Sequence, residues 1–219
     1  MTNEAKILTG IGIVTLLIVV GAAFLFGGKP TPNTPVKITE DQSKILIREN
    51  SHIHGPKDAK VTIVEFGDFQ CPACGVSYPI VEQILKTFDG KIKFVFREYP
   101  LPGHANGRIS AYAAEASGEQ GKFFEMYNQL YDNQKEWGED KNPMQFFEKY
   151  AKNIGLDVDK FKKDIEEKKY DARIQKDIND GQTLGVTATP TFFINGEKIT
   201  GGMSFEDFKA KIESILKSS

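Results

Sequence analysis

Apolar residues follow two different periods in the stretch between positions 60 and 100. The segment AKVTIVEF is rich in β-branched residues and predicts a buried strand over Val61–Phe66. In GVSYPIVEQILKTFDG the apolar residues recur every three or four positions, which predicts a helix from about Pro72 to Phe88 that is closed by Gly90. The segment KIKFVFREYPL then predicts a second strand over Ile92–Glu98.

The pattern is helical from His104 to about Gly185. Segments such as GKFFEMYNQLYDNQ and NPMQFFEKYAKNIG have one apolar face, and Gly155 and Gly185 are typical helix stops. The sequence therefore predicts a block of amphipathic helices, inserted over about residues 104–185, between the second strand and the end of the chain.

The last part of the chain predicts a hairpin followed by a helix. Its strands are Thr191–Ile194 and Lys198–Thr200, joined by the turn dipeptide Asn195-Gly196, and Ser204 is the N-cap of the final helix. The order is thus β-α-β, a helical block and β-β-α. Because a strand–helix–strand unit needs a parallel crossover and a hairpin is antiparallel, we expect an α/β domain with one central mixed sheet.

The first residues differ from the rest in carrying a long uncharged run, from Ile7 to Gly28. As a helix it would cover roughly 30 Å, enough to cross the hydrocarbon core of a membrane. We therefore expect residues 1–28 to form a membrane anchor with its N-terminus inside, the alternative being a cleaved signal peptide. Residues 29–55 contain several prolines and mixed charge, which predicts a polar linker that tethers a domain over residues 56–219.

Composition excludes some function classes. The chain has 219 residues, a formal net charge of −2 and 40% hydrophobic residues. These values suit one globular domain, expected to be monomeric, and give no electrostatic case for binding nucleic acid.

The candidate chemistry lies in EFGDFQCPACGVSYP, which contains both cysteines of the chain, Cys71 and Cys74. A zinc site is disfavoured because structural zinc usually needs four ligands, and His52, His54 and His104 supply no second ligand pair. A static disulfide closing so short a loop would stabilise the fold little. We expect neither a metal nor a cofactor beyond a redox-active Cys71–Cys74 disulfide.

A redox role explains the local sequence better. Pro72 is placed at the first position of the predicted helix, so the thiol of Cys71 lies at the helix N-terminus. Unpaired N–H groups and the helix dipole favour the thiolate there, and the thiolate is the nucleophile in thiol–disulfide exchange. Cys74, one turn later, is close enough to resolve a mixed disulfide.

These residues carry a resemblance to a known family. VTIVEFGDFQCPACGVSYP, together with GVTATPTFFINGEKITGG, resembles the thioredoxin superfamily and, within it, the exported DsbA-like proteins. The resemblance covers about residues 56–219. It implies a thioredoxin-like fold in which the Thr189–Pro190 bond is cis, faces the dithiol and holds an extended substrate segment. The middle dipeptide is Pro72-Ala73, and since Ala73 cannot stabilise a thiolate as histidine would, the extreme oxidising power of the best-known relative is not expected.

The resemblance also gives a role to Glu65, six residues before Cys71. Family members carry a buried acid beneath the dithiol at this place. We expect a raised pKa for Glu65 and proton exchange with Cys74. The alternative is a glutamate at the strand end whose side chain reaches solvent.

The expected function is that of a membrane-anchored, extracytoplasmic dithiol oxidase, in the periplasm or outside the cell. Its partners would be reduced exported proteins and a membrane protein that reoxidises it. A thiol reductase or isomerase fed by a membrane electron donor is the alternative among enzymes. A redox-inactive binding module or chaperone is the alternative from another class.

Overall fold

The computed structural model describes residues 36–218, so the expected anchor lies outside the described residues. Within residues 36–218 no helix is both long and apolar enough to cross a membrane. The described strands all belong to one sheet, and they are β1 (Val36–Lys37), β2 (His52–His54), β3 (Val61–Gly67), β4 (Ile92–Glu98), β5 (Thr191–Ile194) and β6 (Glu197–Thr200).

The strands follow the order β1-β6-β5-β3-β4-β2. Strands β3 and β4 are parallel, whereas every other neighbouring pair is antiparallel. In the register of the central strands, Glu65 of β3 lies between Phe96 of β4 and Phe192 of β5. The predicted mixed α/β sheet is thereby confirmed.

The helices of the described part divide into one that precedes the central strands, one crossover helix, an inserted block and a terminal helix. They are α1 (Glu40–Leu46), α2 (Pro72–Thr87), α3 (Gly107–Gly118), α4 (Phe123–Asp132), α5 (Gln134–Trp137), α6 (Met144–Asn153), α7 (Val158–Glu166), α8 (Asp171–Thr183) and α9 (Phe205–Ser218). The helices α3 to α8 form the predicted insertion between β4 and β5. Helix α2 connects β3 to the parallel strand β4, as a crossover requires.

Alternation along β3 sorts its side chains between two core layers. Ile63 packs with Phe94 and Phe192 in the layer that also contains α2 and α9, whereas Val64 and Phe66 face the opposite layer. Because successive side chains of a strand point to opposite faces, Glu65 lies on the same face as Ile63. The backbone therefore directs the Glu65 carboxyl group toward the crossover helix that carries the cysteines.

The predicted linker over residues 29–55 is wrong for its described part. Strands β1 and β2 lie at the two edges of the sheet, and Leu46 of α1 is buried against the core layer of Val64 and Phe66. His52 stacks on Phe123, with ring centroids 3.8 Å apart, rather than lying in solvent. The segment between residues 36 and 55 is thus part of the domain, because it covers a face of the sheet that would otherwise be exposed.

The predicted hairpin is confirmed, with β6 beginning one residue earlier than expected. Asn195 and Gly196 both have positive φ angles, 46° and 81°. Such angles at both central residues are what a tight two-residue hairpin turn requires, and asparagine and glycine adopt them most readily.

Candidate active site

Cys71 is the N-cap of α2, and Pro72 follows it as the first helical residue. The N–H of Cys71 donates to the carbonyl oxygen of Asp68 at 3.0 Å, and its own carbonyl accepts the first helical hydrogen bond from Gly75 at 3.0 Å. Cys71 retains 6% of its surface and Cys74 retains none. A reagent from solvent therefore reaches Cys71 before Cys74.

The surroundings of Cys71 favour its thiolate. Hydrogen bonding from the Cys74 thiol has the largest effect, and the Thr189 side chain and the N–H groups of Cys74 and Ala73 act in the same direction. Burial opposes them. Together they lower the pKa of Cys71 to about 5, so this sulfur is mainly a thiolate at neutral pH.

Cys74 has the opposite character. Burial is the largest cause that raises its pKa, followed by the hydrogen bond it donates to Cys71 and by the negative charge of Glu65 when that group ionises. Cys74 therefore keeps its proton when reduced. The two sulfurs form a nucleophile and a proton-bearing partner, the division of labour that dithiol chemistry needs.

Glu65 lies in the core with 1% of its surface exposed, and its Oε2 atom has no hydrogen-bond partner in the described part of the chain. Burial, followed by the negative charge of Cys71, raises the pKa of Glu65 to about 8. The alternative of a glutamate that reaches solvent is excluded. At neutral pH the side chain is mostly a neutral acid that can donate a proton.

The loop before β5 brings Thr189 and Pro190 to the cysteines. Their peptide bond is cis, and the carbonyl oxygen of Thr189 lies 3.4 Å from the Sγ atom of Cys71. This proximity follows from the sheet, because β5 pairs with β3 and the loop before β5 meets the turn after β3 at one edge. The hydroxyl of Thr189 is buried and makes no hydrogen bond within ordinary distance limits, yet it is near enough to contribute to the low pKa of Cys71.

Asp68 is a site residue that the sequence did not reveal. Its fully buried carboxylate accepts hydrogen bonds from the backbone N–H groups of Gln70 at 2.8 Å and Leu101 at 2.9 Å, and its Oδ2 lies 2.5 Å from Nδ1 of His104. These bonds hold the turn before Cys71 against the start of the insertion. Its place in GDFQCP was a local signal, but its partners after β4 could not be read from the sequence.

Gln134 holds the same turn from within the insertion. Its Nε2 donates to the carbonyl oxygens of Phe69 at 2.6 Å and Cys71 at 2.9 Å. A Cβ on Gly75 would lie 2.3 Å from its Oε1, so the glycine leaves the space that the amide occupies. A polar residue about 60 positions after the cysteines carries no sequence signal for such a contact.

The remaining candidate residues of the motif, Pro72 and Ala73, are exposed next to Cys71. Neither has an ionisable side chain, and Ala73 acts on the thiolate through its backbone N–H. Among residues 36–218 no group of three histidine, cysteine or acidic side chains is arranged to hold a metal ion. Neither His52 nor His104 belongs to such a group, and each instead faces a carboxylate, Glu115 or Asp68.

Comparison with known proteins gives two kinds of relative. The Na(+)/H(+) antiporter NhaA 1 of Salinispora arenicola (strain CNS-205) is 36% identical over 169 residues, which cover 77% of this chain and 25% of that protein. The antiporter NhaA of Herminiimonas arsenicoxydans is 31% identical over 171 residues, covering 78% of this chain and 26% of that protein. The chain therefore spans about a quarter of the length of these curated relatives.

Several solved structures match this chain over nearly their whole length. BdbD from Bacillus subtilis, in its oxidised form, superposes with a TM-score of 0.70 at 25% identity and covers 84% of this chain and 97% of its own. The alpha-DsbA1 protein of Wolbachia pipientis gives a TM-score of 0.73 at 22% identity, covering 81% of this chain and 96% of its own. A family model described as Thioredoxin matches residues 48–214. Together with the dithiol at the start of α2 and the cis proline beside it, these matches show that the chain belongs to the thioredoxin superfamily and is DsbA-like.

Proposed function

We propose that the protein is a thiol–disulfide oxidoreductase that works as a dithiol oxidase on exported proteins. The observation that carries this proposal is the difference between the two sulfurs, since the pKa of Cys71 is lowered to about 5 while that of Cys74 is raised. A stabilised thiolate favours the reduced dithiol, and this makes the corresponding disulfide a stronger oxidant.

The reaction begins with the enzyme disulfide. A substrate thiolate attacks the sulfur of Cys71, the Cys71–Cys74 bond breaks, and a mixed disulfide forms. Cys74 leaves with the electron pair and takes a proton from the neutral carboxyl group of Glu65, which solvent later reprotonates. A second substrate thiolate then attacks the substrate sulfur of the mixed disulfide, so Cys71 leaves as a thiolate and the substrate carries the new disulfide.

The cycle needs an oxidant that accepts two electrons from the enzyme dithiol. A membrane protein carrying its own disulfide would supply it, by the same exchange in the opposite direction. No cofactor besides the cysteine pair takes part in this scheme. The domain acts as a monomer, since one Cys71–Cys74 pair completes each exchange.

The proposed location rests on the uncharged run of Ile7–Gly28, which is long enough to anchor the domain on the extracytoplasmic side. A domain placed there meets proteins whose thiols are still reduced, so oxidation is the useful direction. The intact mass of the protein purified from membranes tests this part. A mature chain that has lost the segment would show a secreted enzyme instead.

The function is tested by oxidising a reduced two-cysteine peptide with the stoichiometric oxidised enzyme. We expect the peptide disulfide to form rapidly and one equivalent of enzyme dithiol to be produced with it. The Cys71→Ser variant should form no peptide disulfide. A reductase, whose own disulfide is a weak oxidant, would oxidise such peptides only slowly and incompletely, and it would cleave insulin disulfides rapidly when supplied with a reductant. A chaperone or binding module would do neither.

A further inference from the structure

A groove of about 670 Å³ begins beside Cys71 and runs between the first turn of α2 and the α4–α5 turn of the insertion. Pro72 and Val76 line it on the side of α2, and Asp132, Lys135, Glu136 and Glu139 lie along its other side. Gln70 and Pro72, the two chain neighbours of Cys71, both line the groove.

The groove carries an excess of negative charge. It has three carboxylates and one ammonium group, and none of these four forms an ion pair within residues 36–218. Glu136 and Glu139 have only long contacts with neutral donors, at 3.4 Å from the hydroxyl of Tyr150 and 3.5 Å from the amide of Gln70. By contrast, the cavity around Arg108 has three basic and two acidic side chains. The cavity lined by Glu82, Lys86 and Asp89 has two acidic side chains and one lysine, so the excess of carboxylates is larger in the groove at the active site than in either of these two cavities.

The side of the groove formed by α2 is apolar. Val76 is a large hydrophobic residue, yet 71% of its surface is exposed. Pro72 beside it is exposed too. An exposed apolar residue next to a reactive group is typical of a contact surface rather than of a solvated face. Covering Val76 with the aliphatic part of a substrate side chain would remove apolar surface from water and so favour binding.

We propose that this groove binds the substrate segment that flanks the reacting cysteine, and that it selects lysine or arginine within about two to four residues of that cysteine. This inference rests on the proposed function. The mixed disulfide fixes the substrate cysteine at Cys71, and an extended chain rising about 3.3 Å per residue then reaches roughly 7–13 Å along the groove. A long basic side chain fits both features, because its methylene stem covers Val76 while its charge meets the carboxylates.

The carboxylates of the groove act separately from the chemistry at the sulfur. Neither Glu136 nor Glu139 is among the groups that shift the pKa of Cys71. Reversing their charges should therefore change which substrate segment binds and leave the reactivity of the Cys71 thiolate as it is. Alkylation by iodoacetamide, which is uncharged, measures that reactivity independently of the groove.

The test compares two reduced two-cysteine peptides that differ only in arginine or glutamate three residues from one cysteine. With the oxidised wild-type protein at low salt, we expect the arginine peptide to be oxidised about three- to tenfold faster, as a few partly exposed charge pairs allow, and the ratio to fall with salt. In the double variant Glu136→Lys/Glu139→Lys the ratio should invert, with an unchanged pH profile of alkylation. The matched control Glu49→Lys/Asp89→Lys has the same change in net charge at exposed positions elsewhere and should keep the wild-type ratio.

Equal rates for the two peptides with the wild-type protein would overturn the inference while leaving the oxidase function intact. The same shift in the control variant would also overturn it, because the effect would then come from net charge alone. Failure to oxidise either peptide would overturn the proposed function itself.

Discussion

The Sγ atom of Cys71 lies 3.4 Å from the carbonyl oxygen of Thr189, although the two residues are 118 positions apart in the chain. A neutral thiol at Cys71 donates to that oxygen. After ionisation the sulfur can only accept, and the Thr189 hydroxyl, which is buried without a hydrogen-bond partner in the described residues, is the donor on this loop whose side chain lowers the pKa of Cys71. Thr189 thus offers its carbonyl oxygen to the neutral thiol of Cys71 and its hydroxyl to the thiolate.

Replacing Thr189 by valine should therefore raise the pKa of Cys71 from about 5 toward its ordinary value. The side chain keeps its shape but loses the donor, and a hydrogen bond to a charged group contributes about 1.5–3 kcal/mol. The absorbance of the thiolate at 240 nm as a function of pH measures the change. Thr187→Val, in the exposed part of the same loop, is the control and should leave the titration unchanged. Equal titrations for wild type and Thr189→Val would show that the hydroxyl does not act on the sulfur.

The two cysteines should differ sharply in reactivity. At pH 6 Cys71 is mostly thiolate and Cys74 is protonated, so iodoacetamide should label Cys71 first. Cys74→Ala should trap mixed disulfides with substrate, because the resolving thiol is gone, whereas Cys71→Ala should trap none. Mass spectrometry of the alkylated peptides shows which cysteine is labelled first. Faster labelling of Cys74 would show that Cys74, and not Cys71, is the nucleophile.

Glu65 should make stability fall as the pH rises. Its pKa is raised from 4.5 to about 8 in the folded protein, so its contribution is complete below about 4.5 and is lost between there and 8. In the oxidised protein no cysteine titrates and the charge of Cys71 is absent, so burial alone raises the pKa of Glu65 there. The free energy of unfolding of wild type should then decline relative to Glu65→Gln between pH 5 and 8, by an amount on the order of 2–3 kcal/mol. Denaturant titrations at several pH values measure this difference.

Glu65→Gln should also slow turnover near neutral pH while leaving the first attack by Cys71 unchanged, because only the proton exchange with Cys74 is lost. Glu98→Gln is the matched control, since Glu98 is equally buried with both carboxyl oxygens unpartnered in the described residues. Glu98 is not among the groups that shift the pKa of Cys71 or of Cys74. Identical pH–rate profiles for wild type and Glu65→Gln would return Glu65 to a purely structural role.

The segment before β2 should contribute to stability. Leu46 is 5% exposed and packs against the sheet, so Leu46→Ala should lower the free energy of unfolding by about 2–5 kcal/mol. Lys44→Ala, on the exposed side of the same helix, should change it by less than about 0.5 kcal/mol. If Leu46→Ala were as mild as Lys44→Ala in urea denaturation, the segment would be a tether after all.

The sequence was informative where one local rule decides the structure. The alternating β-branched run of β3, the three-to-four spacing of α2 and the Asn195-Gly196 turn each specify their element within a few residues. The strands β1 and β2 are two and three residues long, too short for any period to show. Their place in the sheet depends on partners 40 or more positions away, which no local pattern encodes.

The same distinction holds for the site. Cys71 and Pro72 could be placed because a helix start is a local feature, and Glu65 and Pro190 followed from the family resemblance. Gln134 could not be found, since its role depends on how the insertion packs against the turn after β3. Contacts of this kind become visible only when the tertiary structure is known.

The central claim, that the Cys71–Cys74 disulfide oxidises other proteins, is tested most directly by its equilibrium reduction potential. Redox titration of the protein against glutathione buffers gives this value. The low pKa of Cys71 favours an oxidising couple, and Ala73 moderates it, so we expect a potential above roughly −250 mV and below the DsbA value of about −120 mV. A potential below roughly −250 mV, near the thioredoxin value of about −270 mV, would contradict the oxidase assignment and favour a reductase.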